Sequence, residues 1–213
     1  MDIILFGIQG SGKGTLGKAV ADKYGMSYFE TGAELRKLSQ EDSELGKKVK
    51  SIIEAGNLVS NDIVMEIVED FMTKNDDGKA IVIDGVPRFM EQSQTLEKLL
   101  QDHNHEYVGV LVDIPEELAI KRLTTRRICS KCKEVYPANY SKEVCEKCGG
   151  ELITRSDDTP DSIKTRIDAY NNETIPVIEH FKEIGKLHVI DGKPPIPEAR
   201  EIIFNLIDNK IKA

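Results

Sequence analysis

The sequence predicts an α/β fold in three layers, a parallel sheet covered by helices on both faces, and three observations carry that prediction. Apolar runs of strand length recur at residues 3–6, 80–83, 107–114 and 187–190, with a shorter one at 27–29. Segments of helical period separate them. The first run opens directly into a glycine-rich loop and then a helix. Strands alternating with helices bury both faces of a parallel sheet and place ligands at the carboxyl ends of the strands. At 213 residues, 39% of them hydrophobic, the chain is long enough for one such domain with insertions.

Each element has its own justification. Ile3-Ile4-Leu5-Phe6 reads as a fully buried strand. It delivers Gly7-Ile8-Gln9-Gly10-Ser11-Gly12-Lys13-Gly14-Thr15 to a helix expected over residues 15–24. Backbone N–H groups wrap a polyphosphate only where residues without Cβ let the main chain approach, and the positive end of the helix then faces the anion. The phosphate-loop pattern G-x-x-x-x-G-K-[ST] is met at Gly7, Gly12 and Lys13 but not at Gly14, the hydroxyl arriving one residue later at Thr15. Ser60 or Asn61 can cap a helix whose Ile63, Val64, Ile67, Val68 and Phe71 share a face, and Pro115 suits the start of a helix over 116–123. Thr159-Pro160 opens a helix with Ile163, Ile167 and Tyr170 inward; Pro176 is expected to bend or break it, and Gly185 to end it. Residues 32–57 and 122–159 do not fit the alternation and read as insertions.

Composition narrows the function. A net charge of −8 and a pI near 5.2 argue against an extended nucleic-acid or membrane surface. Only eight of the 29 basic residues are arginine: Arg36, Arg88, Arg122, Arg126, Arg127, Arg155, Arg166 and Arg200. An acidic chain that restricts its forked guanidinium groups to a few places is expected to use them on phosphates, with surface ion pairing as the blander account of any one of them. No signal-peptide pattern is present and no apolar run approaches ~20 residues, so a soluble cytoplasmic protein is expected.

All four cysteines lie in the second insertion, as Cys129-x2-Cys132 and Cys145-x2-Cys148 with twelve residues between the pairs. Two such knuckles can present four thiolates tetrahedrally to Zn²⁺, with Gly149-Gly150 allowing a tight turn. Disulfides suit a cytosolic chain poorly, and a redox C-x-x-C would not come twice. Four protein ligands leave no open position, so the expected role of the ion is structural.

Five further motifs complete the pattern. Thr31-Gly32-Ala33-Glu34-Leu35-Arg36, Gly56-Asn57-Leu58-Val59, Asp84-Gly85-Val86-Pro87-Arg88, the run Arg122-Leu123-Thr124-Thr125-Arg126-Arg127-Ile128-Cys129, and Arg155-Ser156-Asp157-Asp158 stand in this order, the cysteines between the last two. With the glycine-rich loop they resemble the adenylate kinase family, in its long type with a zinc-bearing lid, over nearly the whole chain. The resemblance implies a P-loop NTPase-like core of residues 1–29, 60–121 and 160–213, a nucleoside monophosphate-binding insertion at 30–59 and a lid at 122–159. It also implies reversible transfer of the terminal phosphoryl group of Mg·ATP to AMP, giving two ADP, with no nucleic-acid or membrane partner and a monomeric chain.

The same resemblance assigns roles. Lys13 bridges the outer phosphates of ATP, with Gly10, Ser11, Gly12, Gly14 and Thr15 around them, and Arg126, Arg155 and Arg166 close over the group in transfer. Arg122, Val135, Tyr136 and the segment 192–194, including Pro194, frame the donor adenine. Arg36 and Arg88 hold the AMP phosphate; Thr31, Asn57, Leu58, Val59, Gly85, Val86, Pro87 and Gln92 complete that site, which Arg155 and Arg166 also reach. Asp84 binds the hydration shell of Mg²⁺. Residue chemistry supports this independently, because phosphoryl transfer between two anions needs positioning and charge neutralisation more than covalent help. The chain departs from the family pattern at Gln9 (usually Pro), Ala33-Glu34 (Asp-Met), Val86 (aromatic), Phe89 (Thr) and Thr125 (Gly), which bears on acceptor affinity and lid motion.

Two other functions compete with this one: a kinase for UMP, CMP or GMP, and a zinc-ribbon nucleic-acid-binding ATPase. The ribbon's mixture of Glu134, Glu143 and Glu146 with lysines disfavours the second. Thr73-Lys74-Asn75-Asp76 matches the guanine-reading [NT]-K-x-D pattern only as a short chance match. His103, His105, His180 and His188 are expected to be solvated or hydrogen bonded, and the leucines of 95–100 to be core.

Overall fold

The structure is a computed structural model that describes residues 1–75 and 78–211. Five parallel strands form the central sheet: β1 (Asp2–Phe6), β2 (Ser27–Glu30), β3 (Ile81–Asp84), β4 (Tyr107–Asp113) and β8 (Leu187–Asp191), in the order β2-β3-β1-β4-β8. β5 (Arg127–Cys129), β6 (Val135–Tyr136) and β7 (Leu152–Ile153) make a separate antiparallel sheet. The helices are α1 (Lys13–Tyr24), α2 (Thr31–Leu38), α3 (Glu44–Glu54), α4 (Asn61–Lys74), α5 (Met90–Asp102), α6 (Glu116–Thr125), α7 (Pro160–Ala169), α8 (Ile175–Glu183) and α9 (Ile196–Leu206).

The period of two along β1 sorts the core into two layers. Ile4 and Phe6 face one side and pack with residues of α4, α5 and α8, among them Val68, Leu96, Leu100 and Phe181. Ile3 and Leu5 face the other and pack with Leu16 and Val20 of α1 and with Ala199 and Ile203 of α9. Leu96 and Leu100 are fully buried, as expected of core leucines. Every residue of β1 is buried, because a central parallel strand is covered on both faces.

Several boundaries differ from expectation for local reasons. α1 starts at Lys13, immediately after Gly12 in the left-handed region, so Lys13 and Gly14 belong to its first turn. β3 is shifted one residue along from 80–83 to Ile81–Asp84, because Asp84 pairs in register with Leu5 and Glu30 on its two neighbours. Pro176 does not break its helix. A π-helical turn at Tyr170–Thr174 joins α7 to α8, with the Ile175 N–H bonded to the Tyr170 carbonyl five residues back, and this wider turn accommodates the missing N–H of Pro176.

Residues 32–57 hold the rest of α2 and all of α3. Asp76 of the guanine-reading match lies outside the described residues. Of the histidines, His105 Nδ1 lies 2.7 Å from Asp2 Oδ2 and His180 Nε2 lies 3.1 Å from Glu97 Oε1. Among the described residues no helix is long and apolar enough to cross a membrane.

Candidate functional site

The carboxyl ends of β1 and β3 bring the glycine-rich loop and Asp84 side by side. A Cβ at Gly10 would meet the Ala119 carbonyl at 2.8 Å, and φ there is +88°, so the close turn over α6 requires glycine. Lys13 folds back over the loop and donates to the Ile8 carbonyl at 3.3 Å. Burial pulls its ammonium pKa down; the carboxylate of Asp84 opposes this, while Arg88 and Arg126 add to it. Burial pushes Asp84 up against the pull of Lys13, and the Tyr28 hydroxyl donates to its Oδ2 at 3.1 Å.

Arg88 sits at the other wall. Its Nε donates to the Gly85 carbonyl at 2.8 Å, its backbone N–H donates to Gln92 Oε1 at 2.8 Å, and its carbonyl accepts from Thr174 Oγ1 at 3.0 Å. Burial lowers its pKa, helped by Arg166, Arg36 and Arg155, which places four guanidinium groups within electrostatic reach of one another. A cavity of about 30 Å³ separates Lys13 from Arg88 and is also lined by Gln9, Gly85, Pro87 and Thr174. A larger groove, about 1020 Å³, lies at the opposite, amino ends of β4 and β8 and shares no residue with this one. The cationic chemistry lies at the smaller cavity.

Carboxylates hold the remaining arginines. Arg126 forks onto Asp158 at 2.6 and 2.7 Å, and Arg155 onto Asp157 at 2.8 and 2.6 Å. Arg166 reaches Asp158 Oδ1 at 2.9 Å and the Asp157 carbonyl at 2.6 Å. Arg36 donates to Glu30 at 2.9 Å. Burial would raise Glu30, but Lys18 and Arg36 outweigh it and hold the carboxyl below its ordinary value.

Arg122 ties three segments together, donating to the carbonyls of Ser11 at 3.2 Å, Gly192 at 3.0 Å and Lys193 at 3.1 Å, beside half-buried Pro194. Val59 and Val86 are buried, Leu58 is half-buried and Asn57 is exposed. The Thr31 hydroxyl is buried with no partner, as are Ser11 Oγ and Gln9 Oε1. The side chain of Tyr136 packs at the cysteine cluster. It is 3% exposed, stacks at 4.2 Å on Tyr140 and donates to Cys145 Sγ at 3.1 Å, so it belongs to the packing of the cysteine cluster, while neighbouring Val135 is exposed.

The cysteines converge. Their four sulfurs lie within 4.8 Å of one another, and three pairs stand at 3.4 to 3.6 Å. A tetrahedron of sulfurs around one ion at ~2.3 Å has edges of about 3.8 Å, so the donor set fits a metal with thiolate affinity. The backbone N–H groups of Lys131 and Cys132 point at Cys129 Sγ, each at 3.4 Å. Burial pushes the Cys145 thiol up, but the Tyr136 hydroxyl and the N–H groups of Cys148 and Lys147 outweigh it and bring it down to about 6.

Four contributors escaped the motif reading: Tyr28, Glu30, Asp157 and Asp158. The last two stand inside a quoted motif, and their spacing from Arg155 was the available signal. Tyr28 and Glu30 meet the site only through the pairing of β2 with β3.

The family model described as adenylate kinase matches residues 5–186. The adenylate kinase of Kosmotoga olearia is 40% identical over 214 residues, covering 98% of this chain and 100% of its own. That of Archaeoglobus fulgidus is 38% identical over 218 residues, with both chains fully covered. That of Fervidobacterium nodosum is 36% identical over 212 residues, 97% of each chain.

Proposed function

The chain belongs to the adenylate kinase family, and on that premise we propose that it transfers a phosphoryl group reversibly between Mg·ATP and AMP across the cavity between Lys13 and Arg88. The convergence of Lys13, Arg88, Arg126, Arg155 and Arg166 on one place carries this reading. As the bond from the γ phosphorus to the bridging oxygen of ATP breaks, an oxygen of the AMP phosphate bonds to that phosphorus. Charge leaves on the new ADP, and the cations neutralise both sides at once.

In this reading the loop from Gly10 to Thr15 and Lys13 hold the donor phosphates, and Arg122 with the 192–194 segment flanks the donor base. Arg36 and Arg88 hold the acceptor phosphate. Arg126, Arg155 and Arg166 exchange their carboxylate partners for phosphoryl oxygens, which offer the same forks a more charged acceptor. Asp84 suits the hydration shell of Mg²⁺, a buried carboxylate at a strand end facing the phosphate loop; when bound, the ion screens the charge between donor phosphates. Zn²⁺ in the cysteine cluster would cross-link a small sheet whose own buried core is Cys129, Tyr136 and Cys145.

Gln92 supports AMP as the acceptor. Its carbonyl accepts from Arg88, which leaves its NH₂ group for the base. A donor matches the N1 acceptor of adenine and opposes the N1–H of guanine. Against the nucleic-acid reading, Lys147 pairs with Glu134 at 2.8 Å and Lys142 with Glu146 at 4.0 Å, so the ribbon presents no unbroken basic face.

We assign residues 30–59 and 122–159 as the two lobes that close over acceptor and donor to exclude water. Every residue invoked comes from one chain, so a monomer suffices. Steady-state transfer from ATP to a panel of monophosphates tests the reading. AMP should be the best acceptor; equal rates with UMP, CMP or GMP would remove the adenylate assignment.

A further inference from the structure

The side chain of Gln9 stands in the wall of the small cavity with Lys13, Gly85 and Arg88. Its Oε1 is buried and has no hydrogen-bond partner. A buried amide left unmatched costs on the order of 1–3 kcal/mol, so its partner is expected to arrive with a ligand. The cavity has room for about one water-sized group. With no partner in place, either end of the amide can turn inward by rotation of its last torsion, and the ligand decides which. Between Lys13 and Arg88 the matching ligand atom is an anionic oxygen, which selects the NH₂ end.

We propose that Gln9 is a catalytic residue of the phosphoryl transfer, donating a hydrogen bond from its amide nitrogen to an oxygen of the phosphoryl group between donor and acceptor. The inference rests on the kinase reading above and adds a neutral donor to its cations. Lys13 and Arg88 hold the ends of the path, and their charges act on both ground state and transition state. An amide in the wall of the cavity that Lys13 and Arg88 share would touch the group only as it passes. Such a contact raises kcat more than it tightens binding.

The experiment compares the parent enzyme with Gln9→Ala and Gln9→Glu. The expected result for Gln9→Ala is a kcat lower by roughly a hundred- to a thousandfold, with KM for ATP and AMP nearly unchanged and a melting temperature of the free enzyme that is not lowered, since the unmatched buried amide is gone. Gln9→Glu should fall further, since a carboxylate repels phosphoryl oxygens. Affinity for a fluoroaluminate complex of ADP and AMP should drop in both variants while affinity for ADP alone holds. A Gln9→Ala enzyme with the kcat of the parent, or a Gln9→Glu enzyme more active than Gln9→Ala, overturns the proposal. A parent that does not phosphorylate AMP in the same assay overturns the kinase reading instead.

Discussion

The side chain of Asp158 has no solvent exposure, yet it meets two guanidinium groups, Arg126 at 2.6 Å and Arg166 at 2.9 Å. Removing one partner of such a buried set leaves uncompensated charge, so Asp158→Ala should cost about 3–5 kcal/mol in denaturant unfolding. A saturating nucleotide pair should recover part of that loss, because phosphate oxygens engage the same forks; equal losses with and without nucleotide would refute the shared-fork account. Asp157 gives a pH dependence. Burial pushes its carboxyl up, but Arg155, Arg166 and Arg36 outweigh burial and hold it below its ordinary value. A depressed folded pKa stabilises fully above the unfolded value, near pH 4, and the contribution disappears as the pH falls through the folded value. Melting curves of parent and Asp157→Asn should therefore differ at neutral pH and converge in acid.

At the scale of elements, two short contacts flank the segments proposed to close over the nucleotides. Gly56, at φ +80°, lies so close to α7 that a Cβ would stand 2.6 Å from the Ser162 carbonyl, and Ser162 Oγ donates to the Glu54 carbonyl at 2.5 Å. Gly56→Ala must displace backbone on one side or the other. It should lower stability by about 1–3 kcal/mol and raise KM for AMP more than KM for ATP. At the other insertion, the Thr125 hydroxyl donates to the Lys121 carbonyl at 2.6 Å and closes the last turn of α6. Thr125→Gly removes that bond and restores backbone freedom where β5 begins two residues later. If this turn sets the opening of the lid, the variant should show a higher KM for ATP and faster product release in stopped flow; unchanged release would locate the hinge elsewhere.

Over the whole molecule, two packed layers about one sheet make the core independent of the cysteine cluster, which has its own small cluster of buried residues. Cys129→Ser with Cys132→Ser should therefore abolish metal content and lower the melting temperature while far-UV circular dichroism keeps the signature of the core. An equal melting temperature would rule out a stabilising ion. The net charge of −8 coexists with a cradle of one lysine and several arginines. Local charge at the strand ends, rather than charge of the whole chain, is what an anionic substrate meets.

The parallel sheet, the glycine-rich loop after its first strand and the paired cysteine knuckles were legible in the chain alone. These depend on spacing along the chain: buried runs of strand length, glycines that admit close backbone approach, thiols two residues apart. Folding was needed to bring Asp158 to both Arg126 and Arg166, Tyr28 and Glu30 beside Asp84 and Arg36, Tyr136 onto the cysteine cluster, and the buried, unpartnered oxygen of Gln9 into the cavity wall that Lys13 and Arg88 share. The Tyr28–Asp84 bond joins residues 56 positions apart through strand register, and the Arg126–Asp158 fork joins residues 32 apart. No local pattern in the chain encodes that separation, and the physical reason is that burial and electrostatic pairing act through space.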